Sequence, residues 1–110
     1  MIEQLNLSRT VNASTRVTKK ENYIEVSVDG RIKAFTIFWP SGTDNLLGVS
    51  CGVNEIHLVP TTGEAMECEV GMRFPVDIKV DRGDHIFAQI SNYSDSKNFH
   101  IGVYAEFEHS

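Results

Sequence analysis

Apolar and polar residues alternate along most of the chain with a period of two, which is the pattern of β-strands. The runs Ile24–Val28, Val76–Val80 and Phe99–Phe107 each carry an apolar side chain at almost every second position. No window carries the i, i+3, i+4, i+7 apolar stripe of an amphipathic helix over three turns. Turn-forming residues separate the runs about every 8–12 residues, so the pattern predicts an all-β protein.

The predicted architecture is an antiparallel β-sandwich of about eight or nine strands in jelly-roll or Greek-key order. Its 110 residues are the length of one domain, so residues 1–110 are expected to form a single sandwich. Residues 1–18 are a candidate N-terminal strand or exchanged arm, because the odd positions from Leu5 to Val17 are mostly apolar. An up-and-down barrel is the second choice. An immunoglobulin domain fits less well, because Trp39 precedes both cysteines.

The stretch KAFTIFW departs from simple alternation, because it is apolar on both faces. Phe35, Ile37 and Trp39 share one face, and Ala34 and Phe38 share the other. Leaving three large side chains in water would forgo on the order of 10 kcal/mol, comparable with the net stability of a domain. A cover is therefore expected. It is either another part of this chain, a second subunit, or a ligand.

Two further aromatic residues, Phe87 and Tyr104, point away from the core phases of their own strands. We predict that an interface or a ligand platform is formed by the large apolar side chains that do not fit simple alternation. These are Phe35, Ile37, Trp39, Phe87 and Tyr104. A polar stretch between the last two strands adds the loop candidates Asn92, Tyr93 and Asp95.

Glycine and cysteine positions carry further predictions. Asp29-Gly30 separates two strand-like runs and favours a hairpin with a type I′ turn. Gly48 and Gly52 share one face of a strand and indicate a bulge or the close approach of another backbone. The two cysteines, Cys51 and Cys68, are in phase with apolar neighbours, which favours buried free thiols over a disulfide.

The net charge of the chain argues against two classes of binding partner. A formal net charge of -5 argues against a nucleic-acid binder, which needs a basic face, and against anionic membranes. The only basic cluster, Lys19-Lys20 beside Arg16, is typical of a solvated turn. The N-terminal residues lack the basic start and apolar block of a secretory signal, so we expect a soluble protein.

No motif predicts catalysis, a metal or another cofactor. His57, His85 and His100 alternate out of phase with the core, which places them on outer faces, and no metal-ligand spacing occurs. If His85 and His100 lay on paired strands, they could share a transition metal. Asp81, Asp84 and Asp95 would form a calcium site only if their loops converged. The protein is therefore expected not to be an enzyme.

The C-terminal stretch VDRGDHIFAQISNYSDSKNFHIGVYAEFE consists of a turn into Gly-Asp, a strand, a polar Asn/Ser loop and a closing strand. In this layout it resembles small jelly-roll modules of three kinds: virion structural proteins, C1q- or tumour-necrosis-factor-like domains, and carbohydrate-binding modules. The resemblance covers the fold and assigns no residue a role.

The leading hypothesis is a non-enzymatic structural protein that self-associates, or docks on a larger assembly such as a virion, through its apolar sheet face. The alternative is a carbohydrate-binding module whose aromatic platform uses Trp39, Tyr93 or Tyr104 with the loop partners Asn92 and Asp95. A third hypothesis, a cupin-like metal enzyme, needs histidines inside the barrel, whereas the pattern places them outside.

Overall fold

The computed structural model describes residues 1–67 and 69–110, which form strands, turns and loops. No helix in this described part of the chain is long and apolar enough to cross a bilayer. The strands are β1 (Ile2–Asn6), β2 (Arg9–Val11), β3 (Arg16–Val17), β4 (Tyr23–Glu25), β5 (Gly30–Trp39), β6 (Leu47–Val53), β7 (Ile56–Val59), β8 (Ala65–Met66), β9 (Val70–Val80), β10 (His85–Asn92) and β11 (Phe99–Glu108).

The strands form two antiparallel sheets that pack face to face as a β-sandwich, as the alternation predicted. Sheet I has the order β1-β11-β5-β9, with β2 also paired to β11. Sheet II has the order β3-β10-β6-β7, with β4 also paired to β10 and β8 to β6. In three places two short strands lie end to end along the same side of a longer strand: β1 and β2 on β11, β3 and β4 on β10, and β7 and β8 on β6. Each sheet is therefore four strands wide. The chain crosses between the sheets repeatedly, and this order of four facing four is that of a jelly roll.

The core between the sheets answers the question raised by β5. Phe35 and Ile37 are fully buried and Trp39 is 3% exposed, because their face of β5 is the one that meets sheet II. The side chains opposite them, which come from β6 and β10, are likewise buried: Leu47, Val49, Cys51, Ile86, Ala88 and Ile90. The cover is therefore the facing sheet of the same chain.

The N-terminal segment is divided more finely than predicted. β1 and β2 lie in line on β11 of sheet I, and β3 crosses to β10 of sheet II. Leu7 and Val11 enter the core of the same molecule. Residues 1–18 therefore pair with this chain's own strands in the structure, with breaks where the segment changes sheet.

The predicted Asp29-Gly30 hairpin is wrong. β4 pairs with β10 in sheet II, whereas β5, which begins at Gly30, lies in sheet I. The connection between β4 and β5 forms hydrogen bonds with the β9–β10 turn instead. Val26 N–H donates to Asp84 O at 2.8 Å, and Arg82 N–H donates to Asp29 Oδ1 at 2.8 Å. A bond between two turns thus replaces the expected strand pair.

The prediction of a bulge or a close backbone approach is confirmed at Gly52, whereas the close neighbour of Gly48 is a side chain. The β6–β7 register shifts between Cys51 and Gly52, and a Cβ atom on Gly52 would stand 1.9 Å from the carbonyl oxygen of Ile56. A Cβ atom on Gly48 would stand 2.9 Å from the carboxyl carbon of Glu64. These glycines let other parts of the chain lie directly on the outer face of sheet II.

Candidate functional site

The predicted platform is divided between the core and two outer faces. Phe35, Ile37 and Trp39 are buried between the sheets, and the indole Nε1–H of Trp39 donates to Leu47 O at 2.9 Å. These three side chains present no surface in the folded chain, so they cannot serve as an exposed platform. The sequence pattern showed two apolar faces of β5 but not which of them the second sheet would cover.

On the outer face of sheet I, Tyr104 and Phe38 form what we call the Phe38 patch, together with Gly71 and Gly102. Phe38 is 50% exposed, and its ring meets that of Tyr104 edge-on with centroids 6.0 Å apart. The ring of Phe38 lies over Gly71, where a Cβ atom would come within 2.6 Å of it. The Phe38 patch is therefore an aromatic surface that the described chain leaves half exposed.

The edge of sheet I at β9 is incompletely covered. The core-facing side chains of β9 pack against the core, but each is only partly buried: Met72, Phe74, Val76 and Ile78. The outermost strands of sheet II, β7 and β8, have only four and two residues, so they offer little to cover this row. We call these four side chains the β9 row. Pro75 and the alternating charges of β9 discourage direct strand pairing at this edge.

On the outer face of sheet II, Phe87 is 1% exposed although it points away from the core. Lys19 Nζ lies 5.6 Å from the centroid of its ring, and the ring of His57 meets it edge-on at 5.1 Å. Tyr23 stacks on His85 beside it, with centroids 4.2 Å apart. Lys19, Tyr23, His85 and Phe87 border a cavity of ≈ 320 Å³, which we call the Tyr23 cavity.

Basic side chains at the Tyr23 cavity lie close to carboxylates. Lys19 Nζ donates to Glu55 Oε2 at 2.8 Å, and this contact lowers the pKa of Glu55 below its usual value. His85 Nε2 lies 3.4 Å from Glu25 Oε1. The basic cluster noted in the sequence therefore stands next to carboxylates rather than forming an anion-binding face.

The loop candidates lie at the opposite end of the same face. Tyr93 is 47% exposed and its hydroxyl donates to Glu64 Oε1. Arg16 Nε donates to Ser91 Oγ at 2.8 Å, and Arg16 Nη2 donates to the Tyr93 oxygen at 3.4 Å. Glu64, Tyr93, Arg16 and Ser91 thus form one continuous polar network, which we call the Tyr93 network.

The three loop candidates differ in environment. Asn92 is buried, and its amide nitrogen donates to Val11 O at 3.0 Å and to Lys97 O at 2.8 Å. Asn92 therefore holds the loop in place, while Tyr93 presents a surface. Asp95 is exposed and does not line the depression beside Tyr93.

Sequence reasoning missed Arg16, Ser91 and Glu64 as members of a site. Arg16 and Ser91 are 75 positions apart in the chain, and only the β3–β10 pairing brings them together. The one available signal was Gly48, whose outward position indicated that something lies across the sheet at that point.

The histidines occupy outer faces, as predicted, but His85 and His100 do not meet. His85 lies opposite Glu25 in sheet II, whereas His100 lies opposite Thr10 in sheet I. Asp84 and Asp95 flank opposite ends of β10, so the suggested calcium site does not form. Within residues 1–67 and 69–110, no cluster of three or more His, Cys, Asp or Glu side chains has the arrangement of a metal site.

Two nucleophilic side chains are closed off from solvent. Ser50 Oγ lies 2.6 Å from His57 Nδ1, but Ser50 is only 1% exposed and no substrate can reach it. Cys51 is a free buried thiol, as predicted, and burial raises its pKa, which disfavours the reactive thiolate. Cys68, which was predicted to be the second buried free thiol, lies outside the described residues.

No protein-family profile matches the chain, and neither the curated proteins nor the solved structures contain a significant match.

Proposed function

We propose that the protein is a non-enzymatic structural module that self-associates through an apolar surface of sheet I. The observation that carries this proposal is the β9 row, in which four core-facing apolar side chains remain partly exposed. Their counterparts on β5 in the same sheet are 0–3% exposed. Association that covers such a row recovers apolar burial that the monomer forgoes.

A second copy of this chain is the partner that the surface fits. The Phe38 patch lies on the same sheet, so the chain itself carries both an apolar edge and a separate apolar face. Pro75 lies in the middle of β9 and cannot donate a hydrogen bond to an added strand, so the contact is made by side chains. The same surface would serve for docking on a larger assembly such as a virion, the setting expected from the sequence.

The solution mass at micromolar concentration tests this proposal. We expect a discrete oligomer by light scattering and sedimentation. Phe38→Lys and Met72→Lys should each shift it toward monomer, because a charge would be desolvated in the contact. Tyr23→Lys is the matched control, since Tyr23 is 45% exposed but lies on sheet II. A wild-type monomer at every concentration, or an oligomer disrupted only by Tyr23→Lys, would overturn the proposal.

A further inference from the structure

The outer face of sheet II carries a depression next to Tyr93 that the proposed self-association on sheet I does not use. Its volume is ≈ 370 Å³, at the lower end of the range of about 300–1,000 Å³ typical of small-molecule sites. The lining side chains are hydroxyls, one amide, one guanidinium and one aromatic ring: Ser14, Thr15, Arg16, Ser91, Asn92 and Tyr93.

The Tyr93 network fixes the groups that border this depression. Tyr93 donates to Glu64, and Arg16 is held both by Ser91 and by the Tyr93 oxygen. Gly48 makes the arrangement feasible, because any larger residue would push Glu64 off the sheet. The ring of Tyr93 is therefore oriented before a ligand arrives, which reduces the entropy lost on binding.

Glu64 stands behind Tyr93 and is not part of the lining of the depression. Its Oε1 atom accepts the hydrogen bond from the Tyr93 hydroxyl, and its Oε2 atom is buried from solvent. A ligand in the depression therefore meets the Tyr93 ring, Arg16 and the hydroxyls of the lining, and Glu64 acts only by holding Tyr93 in place.

We propose that this depression binds a neutral hexose unit of a glycan. A pyranose ring offers an apolar face that can stack on Tyr93, and hydroxyls that can both donate and accept along the polar lining. Arg16 and Glu64 carry opposite charges at the two ends of the network, so the site has no excess charge for an anion. A nucleotide fits less well, because the depression has one cation and the chain carries a net charge of -5.

Amide chemical-shift mapping on the intact chain tests the proposal with three neutral probes: methyl α-mannoside, maltohexaose and cellohexaose. Tryptophan fluorescence would not report binding, because Trp39 is buried in the core. We expect at least one probe to shift the Ser91 and Tyr93 amides and the Arg16 Nε–H signal. No shift at these positions with any of the three probes would overturn the proposal.

Substitutions and a sulfate control distinguish stacking of a sugar on Tyr93 from binding of an anion at Arg16. Tyr93→Ala should weaken binding about tenfold or more, whereas Tyr93→Phe, which keeps the ring, should lose less. Tyr23→Ala is the control, because Tyr23 is equally exposed on the same sheet face. If Tyr23→Ala abolishes binding and Tyr93→Ala does not, the proposed location is wrong. If sodium sulfate produces the same shifts as the sugars, the depression is an anion site at Arg16 and the proposal fails.

Discussion

The two outer faces of the sandwich each carry a phenylalanine ring above a glycine, but the two rings differ in exposure. On sheet II, where a Cβ atom on Gly52 would stand 2.9 Å from the Phe87 ring, the outward side chains Phe87 and Ser91 are only 1% and 2% exposed. On sheet I, Gly71 lies beneath the ring of Phe38, which nevertheless stays half exposed. We call the part of sheet II around Phe87 and Ser91, which the chain itself covers, the closed face, and the part of sheet I around Phe38 the open face; Tyr23 and Tyr93, beside the closed part of sheet II, are 45% and 47% exposed.

The two faces are therefore suited to different kinds of contact. The closed face has its aromatic and hydroxyl groups held by neighbours, which suits a preformed small-ligand site. The open face has an aromatic patch and a partly covered edge, which suits a macromolecular contact. Four substitution experiments test whether the two faces differ in this way.

The largest effect is expected from the two outward phenylalanines. Phe87→Ala should lower the free energy of unfolding by about 3–5 kcal/mol, because it leaves a cavity under Lys19 and His57. Phe38→Ala should change the stability of the monomer by no more than about 1 kcal/mol, because its ring is half solvated already. Urea denaturation of both variants at low protein concentration measures this contrast. Equal losses would mean that the two faces are packed alike.

The outward glycines provide the next contrast. Gly52→Ala should cost about 3 kcal/mol, because the new Cβ atom would meet the backbone oxygen of Ile56 and a backbone cannot swing away. Gly71→Ala should cost less than about 1 kcal/mol, because the atom that it meets belongs to the mobile ring of Phe38. Thermal unfolding of the pair checks the difference. A Gly52→Ala variant as stable as wild type would contradict the close approach described for β6 and β7.

A smaller effect is expected at Gly48, where the obstacle is a side chain. Gly48→Ala should cost about 1 kcal/mol by displacing Glu64. In a double-mutant cycle, the same change in a Glu64→Ala background should cost less, because the carboxyl group that stands 2.9 Å from the new atom is gone and only the contact with the Cβ atom at position 64, at 3.1 Å, remains. Additive losses in the cycle would show that Glu64 does not rest on Gly48.

The smallest effect is expected from the charged outer face of sheet I. Arg31 and then Lys33 donate to Asp77 and hold the pKa of its carboxyl below the ordinary value of 3.8. Because the folded pKa is depressed, the stabilisation is present above the ordinary pKa and is lost as the pH falls through the folded value. Asp77→Asn should therefore lower Tm slightly at neutral pH, and the difference from wild type should disappear as the pH falls through the folded pKa of Asp77.

The control for that measurement is ionic strength. Asp77 and both of its partners are exposed to solvent, so salt should reduce the difference between wild type and variant at neutral pH. A difference in Tm that grows on acidification would contradict the assigned direction of the pKa shift.

Local pattern predicted much of the sandwich. The alternation along β6, β10 and β11 places alternate residues in the core as expected, and the turn at Asp81–Asp84 forms with Gly83 at a φ of 97°. The pairing of strands was less predictable. Asp-Gly favours a tight turn, but contacts with the β9–β10 turn send β5 to the other sheet. Hydrogen bonds between distant turns outweigh the local preference.

Only part of the candidate site could be predicted from the sequence, because most of its residues meet through tertiary pairing. Tyr93 was predicted as a loop candidate and as a possible member of an aromatic platform, and the structure places it half exposed beside a depression. Arg16 and Glu64 become its neighbours only through tertiary pairing, so no spacing in the sequence could connect them. Trp39 was assigned to a platform because apolar patterning on both faces of β5 does not say which face is inside.

The sequence by itself determined the class of fold, because a period of two allows only sheets, and it determined where the backbone approaches closely, because only glycine tolerates that. It also showed that β5 is apolar on both faces. Only the tertiary structure decided that sheet II covers Phe35, Ile37 and Trp39 while Phe38 stays outside. The physical reason is that burial depends on which sheet each strand joins, and that choice is made by contacts between residues far apart in the chain.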